Sequence, residues 1–68
     1  MKVRYDQKVD AIYFEFAKGI YAKSSKVSDS VLVDEDKKGK ILGVEILDAS
    51  KNIKTFNSRN TTVNFQSV

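Results

Sequence analysis

Two stretches of this chain alternate apolar and polar residues on either side of a polar break. In the first, Lys2 to Asp6 places Val3 and Tyr5 on one face and Lys2, Arg4 and Asp6 on the other, the period of a half-buried strand. Asp6-Gln7-Lys8-Val9-Asp10 is a polar connection of hairpin length. Ala11 to Phe16 resumes the alternation, with Ile12, Phe14 and Phe16 opposed to Ala11, Tyr13 and Glu15. The second stretch begins with the compact apolar run Val31-Leu32-Val33, turns through Asp34 to Lys40, and continues as the longest strand, Ile41 to Leu47. Leu42, Val44 and Ile46 share one face of that strand, and Gly43 in its middle predicts a bulge or a close backbone approach.

The rest is less regular. Between Ala17 and Ser30 the pattern is broken by Gly19 and Ser24-Ser25, and only Lys26-Val27-Ser28 reads as a short edge strand. Asp48 stands where the N-cap of a short helix through about Ile53 would be. Residues 1–54 thus form one small sheet domain, followed by a polar tail over 55–68, an edge strand or disordered, with weak alternation at Val63 and Phe65. The expected fold is α+β: a small antiparallel β-meander of about four strands, one short C-terminal helix and room for an extra edge strand, with all-β as the alternative.

Tyr5-Asp6, Asp10-Ala11-Ile12-Tyr13, Val33-Asp34-Glu35-Asp36, the turn glycine and Gly43-Val44-Glu45-Ile46-Leu47-Asp48-Ala49-Ser50 resemble a small prokaryotic family called domain of unknown function 2283. The resemblance covers about residues 2 to 52. It implies a compact sheet domain without an assigned activity, with partnership to a neighbouring gene product as the expectation. It carries no catalytic residue onto this chain.

Composition narrows the chemistry. A chain of 68 residues holds one domain, which buries about 60% of its unfolded surface and is marginal alone. There is no cysteine and no histidine, which rules out a disulfide or thiolate metal site and the Ser-His-Asp and Cys-His nucleophilic arrangements. Zinc almost always uses the same two ligands. Carboxylates, lysines and tyrosines remain, and they need strong desolvation to work near neutral pH. The expectation is a non-enzyme without a cofactor. The absence of a long apolar run or a signal-type start predicts a soluble, cytoplasmic protein with no membrane partner.

Charge divides the chain. Through Asp48, nine basic residues balance nine acidic ones, so the net +3 comes from Lys51, Lys54 and Arg59. These three are the candidate basic contacts. Phosphate contacts weaken steeply with salt, and three cations support only weak binding, so nucleic acid is the alternative partner and not the favoured one. Tyr5, Asp6, Asp10, Tyr13, Asp34 and Glu45 are the candidate functional cluster, able in principle to converge at one end of the sheet. The competing reading has the aspartates closing turns and the tyrosines pairing across strands.

Asp34, Asp36, Gly39, Ile41 and Glu45 also match positions of a calcium-binding EF-hand loop. Lys38, however, puts a positive charge where an oxygen ligand belongs, and strands flank the loop. A hairpin turn is expected there, and no metal. The best functional expectation is a protein-interaction or assembly module, partnered by itself as a homo-oligomer or by a small protein.

Overall fold

The computed structural model describes residues 1–60, 62 and 64–67. Five strands, β1 (Lys2–Asp6), β2 (Ala11–Glu15), β3 (Lys23–Ser28), β4 (Val31–Glu35) and β5 (Ile41–Ile46), form one antiparallel sheet. One helix among the described residues, α1 (Ala49–Asn52), follows. The α+β class expected from the sequence is therefore present. The strand order is β1-β2-β5-β4-β3, so the last strand is central rather than at an edge. The reason lies in composition: a central strand has both ladders occupied, and Val44 and Ile46 supply the apolar row it requires. Leu42, expected on the same face, is skipped by the ladder and lies with Tyr13, Glu15 and Asp34 beside residues 17–19. The outer strands carry Lys2 and Arg4, or Lys23 and Lys26, which blunt exposed edges.

β3 is longer than its sequence pattern shows. Lys-Ser-Ser-Lys-Val-Ser has no apolar alternation, and its register with β4, from Lys23↔Glu35 to Ser28↔Val31, comes from the neighbouring strand. The ladder skips Val27, a bulge that leaves this side chain exposed at the sheet edge. A second register shift skips Leu42 in β5, beside Gly43. The Leu42 carbonyl instead accepts the N–H groups of Phe16 and Ala17, fastening the start of the β2–β3 connection. Between β4 and β5, Asp36 Oδ1 accepts the Lys38 and Lys40 N–H groups at 2.9 Å each, and Gly39 takes a positive φ of 84°. That is the expected hairpin turn, closed by an aspartate and a glycine.

The pleat and register sort the side chains onto two faces. On the helix side, two rows cross the sheet: Tyr5, Ile12, Ile46 and Val31, then Val3, Phe14, Val44, Val33 and Ser25. The opposite face carries Arg4, Tyr13, Glu45, Leu32 and Lys26, then Lys2, Glu15, Gly43, Asp34 and Ser24. One face is apolar and the other polar. Buried apolar side chains among the described residues are few: Ala11, Ile12, Leu42 and Ala49.

The chain after β5 crosses the apolar face at one end. Ile53 lies by Val31 and Ile46, and the Phe56 ring packs on Tyr5 with centroids 4.8 Å apart. Ile12, in that row, is only 3% exposed. In the next row no side chain is buried, and Val3 is 44% exposed. No strand forms among the described residues of the tail; Phe65 is exposed, and Val63 lies outside the described residues. No helix of the described residues is long and apolar enough to cross a membrane.

Candidate functional site

The six candidate residues divide between the two faces. Tyr5, Asp6 and Asp10 belong to the first hairpin. Asp6 Oδ1 accepts the Lys8 N–H at 3.0 Å and closes the turn. Asp10 has a positive φ of 54° at the end of the turn, which brings it under α1. Its carboxylate accepts the Tyr5 hydroxyl at 2.7 Å, the Ser50 hydroxyl at 2.6 Å and the Ser50 N–H, while its carbonyl accepts the Ala49 N–H at 2.8 Å. Asp48 occupies the N-cap position as expected, but in the left-handed region, and its side chain caps nothing. Asp10, far away in sequence, does the capping. Helix N-termini leave unpaired N–H groups that such an oxygen satisfies.

The electrostatics follow this geometry. Hydrogen bonds from Ser50 and then Tyr5 hold the Asp10 carboxyl below its usual range. The Tyr5 phenol is raised, first by donating to Asp10, then by desolvation and by the charges of Asp10 and Asp6. This cluster is a latch between the first hairpin and the C-terminal segment.

Tyr13, Asp34 and Glu45 sit on the polar face. Tyr13 opposes Glu45 in register and leans diagonally across Gly43 toward Asp34. Gly43 makes that position possible: a Cβ there would collide with the Tyr13 phenol and stand 2.6 Å from the Phe14 carbonyl oxygen. The glycine expected from sequence to mark a bulge or close approach is thus next to both. Desolvation raises the Tyr13 phenol first, with the charge and hydrogen bond of Asp34 adding to it.

Sequence reasoning missed the partners of this group. Ser24 donates to Asp34, and the Tyr21 hydroxyl lies 3.0 Å from the Ser24 hydroxyl. The Arg4 guanidinium lies over the Tyr13 ring, 5.0 Å from its centroid, and 3.9 Å from Glu15. The contacts of Ser24 with Asp34 and of Arg4 with Tyr13 and Glu15 depend on strand register, so no local signal announces them; only Tyr21 to Ser24 is a local contact, three residues apart. The network is shallow and satisfies itself; among the described residues no three His, Cys, Asp or Glu side chains are grouped to hold a metal. Lys51, Lys54 and Arg59 are all exposed, the first in the last turn of α1 and the others beyond it.

A family model matches residues 2–50, from the first strand to the start of the helix, and its description is "Protein of unknown function (DUF2283)". The chain belongs to this family. The matched span contains the whole sheet and both members of the Asp10–Ser50 latch, while Ile53 and Phe56, which cover part of the apolar face, lie beyond it. No curated protein and no solved structure matches the chain. Membership in DUF2283 supplies no activity, so the functional reading rests on the two faces.

Proposed function

We propose that this DUF2283 chain is a non-enzymatic protein-interaction or assembly module, with the uncovered half of its apolar sheet face as the docking surface. One observation carries the reading: Val3, Phe14, Val44 and Val33 form a continuous apolar row in which no side chain is buried, Val3 is 44% exposed, and Phe16, two residues on from Phe14 along the chain, is 50% exposed. Stable domains are built of at least two packed layers, and a sheet with one dry face needs something to cover it. The polar face offers less to a partner, because its tyrosines, serine and arginine already hold one another. The alternative, nucleic-acid binding through Lys51, Lys54 and Arg59, has less support: of the two aromatics that flank these cations in sequence, Phe56 is engaged with Tyr5, which leaves Phe65, 83% exposed, to stack on a base.

Photo-crosslinking inside the cell tests the proposal. Benzoylphenylalanine in place of Phe16 is expected to give a protein adduct, and the same group in place of Lys26, on the polar face, is expected to give none. Equal labelling from both positions, or none from Phe16, contradicts the docking face.

A further inference from the structure

We infer that the partner covering this face is a second copy of the chain, stacked sheet against sheet across a two-fold axis. The inference rests on the docking face proposed above and adds its occupant.

Three observations favour self-association. First, the exposed surface is 5735 Å², whereas a compact monomer of 7.7 kDa exposes about 4,300 Å². The segment after Phe56, whose described residues are all exposed, accounts for much of this excess, and half-exposed side chains such as Val3 and Phe16 add to it. Standard specific interfaces bury about 800 Å² per partner. Pairing through the open row removes part of the excess and gives an interface below that standard size.

Second, the open row is electrically self-complementary. A two-fold interface sets the same patch against itself, so a charge on or near the axis meets its own sign. Val3, Phe14, Phe16, Val44 and Val33 carry none. The polar face carries Lys2, Arg4 and Lys26 beside Glu15, Asp34 and Glu45, so an axis along either of its rows would set each of these charges against its own copy.

Third, the edges are poorly suited to the competing mode, strand-to-strand extension. β3 carries two lysines and the Val27 bulge, and β1 carries Lys2 and Arg4. Such features discourage edge pairing.

The covering segment also sets the orientation. Packed sheets lie about 10 Å apart, which leaves no space for two C-terminal segments stacked at the same end. The axis therefore runs across the strands within the open half, and the two Ile53–Phe56 segments lie at opposite ends of the interface. Phe14, Val44 and Val33 then face the same row of the second copy. The area available is at the small end of specific interfaces, which predicts a dimer that dissociates on dilution in the micromolar range.

The full chain is examined by sedimentation velocity from micromolar to millimolar concentration. A half-labelled sample is examined in parallel by isotope-filtered NMR. The expected result is a reversible monomer–dimer equilibrium, with intermolecular contacts among Phe14, Phe16, Val33 and Val44. Val3→Lys and Phe16→Lys change side chains that are already half exposed, so both are expected to fold and to weaken the dimer by about tenfold or more. Glu45→Lys is expected to leave it unchanged. A monomer at every concentration overturns the second copy; if Phe16 still cross-links a different protein in the cell, the docking face survives. A dimer with its contacts on β3 or the polar face, or one indifferent to both lysine variants, overturns the inference.

Discussion

Asp10 shows how much one residue can organise in so small a chain. It ends the first turn, receives Tyr5 and supplies the oxygens that the helix start requires. Asp10→Ala is expected to lower the melting temperature by several degrees, and Asp10→Asn by less, as followed by circular dichroism. The pH dependence has a definite sign. The Asp10 carboxyl is lowered in the folded chain, so its contribution is present above the ordinary aspartate value of about 3.9 and is lost as pH falls through the lower folded value. Tyr5 is raised, so its contribution is present below about 10 and is lost as pH rises through the folded value. Asp10→Asn is expected to flatten the acid side of the urea-midpoint profile; an unchanged acid side contradicts the latch. Gly43 is the second organising residue. Gly43→Ala is expected to destabilise the fold by about 2–3 kcal/mol in chemical denaturation. Tyr13→Ala in the same chain should restore only part of this, because the Phe14 carbonyl remains in the way. The aspartates of the turns were legible from sequence as local punctuation. That Asp10 also caps a helix was not, because its partner is Ser50 and only the folded chain joins them.

Among the elements, legibility followed the source of each strand's stability. β1, β2 and most of β5 carry their own alternation, and their faces follow from residue spacing; at Leu42 the bulge breaks the spacing and moves the side chain off the expected face. β4 shows only three apolar residues in sequence yet extends to Glu35, since Asp34 and Glu35 look like turn residues until their pairing with Gly43 and Ile41 is known. β3 carries almost no apolar signal; it is a strand because β4 offers it a ladder. The central position of β5 was hidden for the same reason, because pairing between distant strands leaves no local trace. The edge devices of β3 are testable as a unit. Replacing Lys23 and Lys26 by Thr and deleting Val27 should flatten the edge. This variant is expected to form sheet-rich aggregates, measured by light scattering and thioflavin fluorescence, under conditions where the parent chain stays clear. Equal clarity would show that these residues do not guard the edge.

At the scale of the whole molecule, the account turns on a missing layer. Among the described residues four apolar ones are buried, two of them alanines, and one sheet face is half covered, which is why a second layer from outside the monomer is proposed. The small core was legible from chain length and composition. Which face stays open was not, because that depends on where the residues after β5 lie. Thermal unfolding of the full chain as a function of its own concentration tests the central claim most directly. If a second copy supplies the missing layer, the unfolding midpoint rises with protein concentration, since association stabilises only the folded state, and Phe16→Lys abolishes that rise. A midpoint independent of concentration, at the level of the parent chain in both proteins, would contradict it.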